Sequence, residues 1–303
     1  MKILCVCLSA TIQRTIQFDS FSVNSINRSQ NWREDASGKA LNAARVLNQL
    51  EAGSSVALCP VGNSNAEHFM SLASNDSDLY VNPIYIEGRT RECWTLLDTK
   101  NGTTTELIAD EAQNSIHIAG AEAELRLLEA VRESMISFDA LLFAGSRPRN
   151  WSANICARIC EVAHKAGKII LADFRGKDLL DTLKLCTPQI IKINEQEFCE
   201  SFANSFLSEE ELIEAISKKS QELQNIIVVT RGEKDTFASE KGKNIRVPIE
   251  KVKALNTTAC GDAFAAGFLY DYILNKNLES ALERAIHCAA LNAQNFVPGS
   301  ILL

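Results

Sequence analysis

The sequence predicts a mainly parallel α/β fold, three layers deep (α/β/α), carrying a small β-sheet lid. Three observations predict it. Short continuous apolar runs recur along the chain, amphipathic stretches separate them, and two further stretches share neither habit. Apolar runs without alternation belong to strands buried on both faces, which needs helices above and below the sheet. Taken in order, strands are expected at Met1–Leu8, Ser55–Leu58, Ala140–Ala144, Lys168–Ala172, Ile190–Ile193 and Ile226–Thr230. Helices are expected at Ala40–Leu50, where Ala40, Ala44, Leu47 and Leu50 share a face, at Trp151–Ala166 and at Glu209–Leu223. The two odd stretches, about 11–33 and 80–108, are rich in β-formers with short-range alternation (Ile84-Tyr85-Ile86), and the second contains the hairpin pair Asn101-Gly102. They are expected to form the lid. Residues 1–303 then make one domain, with ligands at the carboxyl ends of the parallel strands.

Composition narrows the function. With 303 residues the chain buries a sizeable core, and 46% apolar and 23% charged residues are ordinary for a globular protein. A net charge of -7 argues against a general nucleic-acid binder. No run approaches the roughly 20 apolar residues that span a bilayer, and the first strand is too short for a secretion signal, so a cytoplasmic location is expected. The ten cysteines are scattered and read as reduced, buried small hydrophobes. The four histidines, His68, His117, His164 and His287, form no metal-spaced pair.

The segment Asn256-Thr257-Thr258-Ala259-Cys260-Gly261-Asp262 carries the strongest chemistry. Small residues and an Asp open a helix, where unpaired N–H groups attract anions and small side chains admit phosphate oxygens. There Asp262 could take a proton from a hydroxyl as phosphate moves. By itself the pattern fits equally a helix with an acidic first turn. Likewise Asn194 and Glu197 read as a capping box as readily as a functional pair, and both can hold at once.

This segment resembles the C-terminal signature of the ribokinase-like (PfkB) carbohydrate kinases, Asp-Thr-x-Gly-Ala-Gly-Asp. Four other segments follow the family's order: Ser37-Gly38-Lys39-Ala40-Leu41-Asn42-Ala43-Ala44, Thr90-Arg91, Gly145-Ser146-Arg147-Pro148 and Lys192-Ile193-Asn194-Glu195-Gln196-Glu197. The resemblance implies a sugar kinase using ATP and Mg²⁺, with a monovalent cation as a further cofactor of the family. It implies Asp262 as base and Ala259, Cys260 and Gly261 as the anion hole. Lys192, Asn194, Thr230 and Gly232 would face the nucleotide, with Glu197 and Asn194 organising magnesium through water. Asp235 stands where the family has a second glycine beyond Gly232.

Asn27-Arg28-Ser29 resembles the branch that phosphorylates sugars already bearing a phosphate, which includes 1-phosphofructokinase, tagatose-6-phosphate kinase and the minor 6-phosphofructokinase. Arg28, Lys39 and Arg91 would then hold that phosphate, while Gln13, Gly38, Asn42 and Ser146 face the sugar. A homodimer through the lid is a further implication. Three departures bear on the site. Gln13 replaces an Asp that accepts bonds from sugar hydroxyls, and Ala36-Ser37-Gly38-Lys39-Ala40 is less glycine-rich than its counterparts. Ala259 and Cys260 replace Gly-Ala, which matters if the backbone needs a positive φ. A thiol at a helix start can also have a lowered pKa and be reactive, but an inert packed cysteine is the favoured reading of Cys260. A kinase for a non-phosphorylated sugar or nucleoside, and a sugar-phosphate-binding protein with weak or no kinase activity, remain the alternatives.

Overall fold

A computed structural model of the chain describes residues 1–109, 120–203 and 208–302; His117 lies outside them. Its backbone is a nine-stranded sheet with helices on both faces and a second, four-stranded sheet. The first strand, β1 (Ile3–Val6), is buried at every position, as an apolar run between two helical layers requires. Alternate residues enter opposite cores. Ile3 and Cys5 join one with the residues of α1 (Lys39–Leu50), while Leu4 and Val6 join the other.

β2 (Thr11–Phe18) and β3 (Trp32–Ser37) leave the carboxyl end of β1 as an antiparallel pair, and β3 leads straight into α1. β4 (Ser55–Gly62) pairs parallel with β1, and α2 (Ala66–Ser74) follows. β5 (Val81–Ile86) corrects the expected boundary of the small sheet. It pairs parallel with β4 and forms the edge of the large sheet. Its alternation, with Ile84 buried and Tyr85 exposed, is that of an edge strand with one face on the core, which sequence alone cannot tell from a lid strand.

The small sheet runs β3-β2-β6-β7, with β6 (Arg91–Asp98) parallel to β2 and β7 (Thr103–Ile108) antiparallel to β6. Asn101 and Gly102 make the hairpin turn, where Gly102 takes φ 62°. Two of its three pairings are antiparallel; β2 and β6 run parallel, because the chain crosses to the large sheet between them.

The large sheet continues through α3 (Ala121–Ser137), β8 (Ala140–Ala144), α4 (Ile155–Lys165), β9 (Ile169–Asp173), α5 (Gly176–Leu183) and β10 (Ile190–Asn194). A short helix, α6 (Glu195–Phe198), and a π-turn follow, then α7 (Glu209–Leu223) and β11 (Ile226–Arg231). β12 (Lys234–Glu240) and β13 (Lys243–Val247) close the far edge as antiparallel strands. The last helices are α8 (Cys260–Asn275) and α9 (Leu278–Ala293). α8 is apolar nearly all round and is buried from Asp262 to Leu269, sandwiched against α1 and α9. Side chains such as Phe268 and Leu269, fully removed from water, each contribute about 1.5–3 kcal/mol and set the helix start at a fixed depth over the strand ends. Among the described residues no helix is long and apolar enough to cross a membrane.

Candidate active site

The carboxyl ends of β9 and β10 and the N-termini of α1 and α8 converge on one point. Asp173 ends β9, Lys192 lies near the end of β10, Lys39 opens α1 and Asp262 sits in the first turn of α8. Lys192 Nζ donates to Asp173 Oδ2 at 2.8 Å, and Lys39 Nζ donates to Oδ1 at 3.1 Å. Asp173 is 1% exposed, so burial pushes its carboxyl up. The two ammonium groups more than reverse this, and it lies below the usual carboxylate range. Lys39 is held above the usual ammonium range by Asp173, against the effect of its own burial, with Asp262 and Glu197 adding to the pull.

Asp262 is buried with the opposite result. Burial raises its carboxyl from 3.8 to about 6, against the pull of Lys39, a hydrogen bond from Asn42 and the charge on Lys192, while Asp173 pushes the same way as burial. Asn42 Nδ2 donates to Asp262 Oδ2 at 2.8 Å. A carboxylate poised near neutrality, with two cations close by, suits proton transfer at physiological pH.

The start of α8 is strained. Ala259 adopts φ 66°, ψ 7°, the left-handed region that costs a residue with a Cβ about 1–2 kcal/mol. A backbone that needs positive φ there is met by alanine in place of glycine. Ala259→Gly is therefore expected to raise stability by about 0.5–1 kcal/mol, with the gain in strain offset by a freer unfolded chain. Denaturant titration checks this, and an equal or lower midpoint would count against the strain.

Around this turn the Cys260 amide donates to Thr257 O at 3.3 Å, so it is engaged within the loop. A Cβ on Gly261 would come within 3.0 Å of Lys192 Nζ, which places that ammonium against the helix start. Of the two readings of Cys260, the packed cysteine agrees with the structure and the activated thiol does not: burial pushes its pKa up, only partly offset by a bond from Asn292 Nδ2 to Sγ at 3.3 Å. The helix dipole does not outweigh desolvation, and the thiol reads as a packed, protonated group.

Asn194 and Glu197 form a reciprocal capping box, Asn194 Oδ1 accepting from Glu197 N at 2.8 Å and Glu197 Oε2 from Asn194 N at 2.9 Å. The box fixes Glu197 in the first turn of α6, where its charge is felt by Lys39 and Arg175 Nη1 lies 3.9 Å from its Oε1. Thr230 lies opposite Asn194 in the β10–β11 ladder, and Gly232 takes φ 64° in the turn to β12. Asp235 is paired with Arg246 at 2.6 Å and lies outside this group.

The sugar side is less concentrated. Gly38, φ 131°, precedes α1, where a Cβ would meet Ser9 O at 3.1 Å and Ala10 Cα at 3.3 Å, so glycine is required. Gln13 is buried on β2 and donates to Thr95 Oγ1 at 2.6 Å across the small sheet. Arg91 begins β6 opposite Thr11, Arg28 is exposed between β2 and β3, and Ser146 is exposed after β8. Asn42, expected at the sugar, has its amide committed to Asp262. The structure therefore groups Lys39, Asn42, Lys192, Gly261 and Asp262, with Arg28 apart from them. It also supplies Asp173, which sequence reasoning missed. The available signal was an acidic residue closing the apolar run Ile169-Ile170-Leu171-Ala172.

A family model for pfkB family carbohydrate kinases matches residues 2–301, and the chain belongs to this family. It is a sugar kinase. Among solved structures, a Thermotoga maritima protein described as a possible 1-phosphofructokinase superposes with a TM-score of 0.87 at 20% identity, covering 98% of this chain and 93% of that one. The tetrameric inhibited form of Escherichia coli phosphofructokinase-2 superposes at 0.83 with 18% identity, covering 96% and 94%. The same enzyme in complex with fructose-6-phosphate gives 0.82 at 17% identity, covering 96% and 93%. At these identities the structural likeness shows the shared fold.

Proposed function

We propose that this kinase transfers a phosphoryl group from ATP to a hydroxyl of a phosphorylated sugar of the fructose 1-phosphate, fructose 6-phosphate or tagatose 6-phosphate type, with Asp262 as general base. One observation carries the reading: a buried carboxylate raised to about 6, at a helix N-terminus, faced by Lys39 and Lys192. Asp262 would accept the proton as the hydroxyl attacks in line. Lys192, the dipole of α8 and the Gly261 amide in its first turn would stabilise charge on the transferred group. Lys39 and Lys192 set two positive charges against Asp173 and Asp262, and when Asp262 takes up the hydroxyl proton the group becomes one charge more positive, which favours the transferred phosphoryl.

Magnesium fits the donor set. Among the described residues no group of three or more His, Cys, Asp or Glu is placed to hold a metal by itself. Asn194 and Glu197 carry hard oxygens, with Glu197 Oε1 outside the capping box, and would suit an ion that keeps most of its water and arrives on nucleotide phosphates. They would hold it through water, and it would supply charge neutralisation.

The lid sheet would close over the sugar to exclude water. Arg28 and Arg91, on that sheet and its connection, would supply the charge for the existing phosphate. A second reading, a sugar-phosphate-binding protein with weak turnover, draws on the strained Ala259 and on Gln13 being tied to Thr95. An ATP-consumption screen decides. Turnover with one of the three phosphosugars, and not with fructose, tagatose, ribose or adenosine, is expected. Turnover only with unphosphorylated acceptors would overturn the substrate class, and none with any acceptor would favour the binder.

A further inference from the structure

We infer that Arg45, clasped by the C-terminal segment Pro298–Ile301, is a positioning residue for Asp262, acting through the amide of Asn42. This rests on the reading of Asp262 as base. The Asn42 side chain has one end defined by its donors: Oδ1 accepts from Ser37 Oγ at 2.8 Å and from Arg45 Nη1 at 3.3 Å. A guanidinium, which can only donate, holds the oxygen on its side and sends the NH₂ the other way, where it donates to Asp262 Oδ2 at 2.8 Å. Turned over, the amide would set its oxygen against a carboxylate and its NH₂ against the Arg45 guanidinium, which can only donate, although the Ser37 hydroxyl could turn to accept. Arg45 thus decides that the base meets a donor.

Arg45 is itself fixed. It is 2% exposed, and three further N–H groups go to Pro298 O at 2.9 Å, Ala36 O at 2.9 Å and the Asp76 carboxylate. The C-terminal segment reaches both walls of the pocket. Gly299, at φ 71°, lies so close that a Cβ would come within 2.7 Å of Asn42 Cα. Its N–H donates to Asn292 Oδ1 at 2.7 Å, and Asn292 Nδ2 donates to Thr258 O at 2.8 Å in the loop before α8. Residues 298–301 therefore tie the α1 side of the base to the α8 side. Ile301 N adds a bond to Gln49 Oε1 at 2.7 Å.

Losing the Asn42 donor removes a bond that favours the anionic base, so the base should bind its proton more tightly. The other charged and titratable groups facing Asp262 are Lys39 on α1, Asp173 on β9, Lys192 on β10 and Cys260 on α8. None is altered by changes at Ser37 or Arg45, but Arg45→Met also takes a positive charge from beside the base, which raises its proton affinity directly. Ser37→Ala, which changes no charge, is the variant whose shift reports the amide.

The test is the pH dependence of kcat/KM between pH 5 and 9 for wild type, Arg45→Met, Ser37→Ala and Asp262→Asn, each checked for folding by thermal denaturation. Arg45→Met is expected to move the acid limb up by about one pH unit, with the deficit shrinking toward alkaline pH. Ser37→Ala, which removes one of the two bonds, should move it the same way by less. Being a mild change, it carries the test alone if Arg45→Met does not fold. An acid limb that stays in place, or a loss equal at every pH, would overturn the inference. If Asp262→Asn retains turnover, the base assignment has failed instead. An inactive Asp262→Asn beside an unmoved limb sinks only the role of Arg45.

Discussion

Asp262→Asn should lower kcat/KM by about 10²–10⁴-fold, the range a positioned general base contributes, while making the protein more stable near pH 8. The two effects share one cause. The folded carboxyl titrates at about 6 and the ordinary value is 3.8, so the folded state holds its proton more tightly than the unfolded chain does. Above pH 6 the folded state must carry an anion that its surroundings disfavour, at a cost on the order of 3 kcal/mol, from about 1.4 kcal/mol per tenfold change in proton affinity. That cost fades as pH falls through 6 and is gone below 3.8. Asparagine keeps the size and a bond to Asn42 without the charge, but gives up the attraction to Lys39 and Lys192. A net gain of about 1–3 kcal/mol is expected at pH 8, shrinking toward pH 4. Denaturant midpoints at the two pH values measure it. Wild-type turnover in the variant would end the case for the base, and a less stable variant at pH 8 would end the case for desolvation. In wild type, kcat/KM should fall about tenfold per pH unit below the same point.

Asp173→Asn should be the most damaging single change for stability, by about 3–5 kcal/mol, because it leaves two ammonium groups without their shared carboxylate. Lys192 is 5% exposed and has no easy route to water, whereas Lys39, 40% exposed at its side chain, can turn outward. The loss should therefore sit toward the lower end of that range. Asp173 lies below the usual carboxylate range when folded, so its contribution is present above 3.8 and disappears as pH falls through the folded value. The gap between variant and wild type should close in acid. Inorganic phosphate should raise the variant's melting temperature more than the wild type's, because an anion bound by the folded state alone replaces the missing charge. Equal stability of the two proteins at pH 8 would mean that Asp173 is not the counter-ion of this pocket.

Much of the site was legible before the fold was known, for reasons of distance along the chain. Asn194 and Glu197 are three residues apart, and a capping box is a local bargain between a side chain and the nearest amides. Asp262 stands in the first turn of a helix whose apolar run announces burial. Apolar runs separated by amphipathic stretches likewise announce a parallel sheet. Where legibility failed, a local pattern had two physical meanings. The alternation of Val81–Ile86 serves a lid strand and an edge strand equally, and only pairing with β4 decides. A thiol at a helix start feels both a dipole and desolvation, and only the depth of Cys260 decides which is larger.

The sequence by itself determined the class of fold, the family and the identity of the residue at the start of α8. Tertiary structure alone decided what surrounds that residue. Lys39 meets Asp173 across 134 residues, Asn42 meets Asp262 across 220 and Arg45 meets Pro298 across 253. It also decided that Ala259 takes a left-handed backbone. Periodicity and capping are energies of neighbours and can be read from spacing, whereas the proton affinity of a buried carboxylate depends on charges and donors that only the packing of α1, α8 and the strand ends brings within reach.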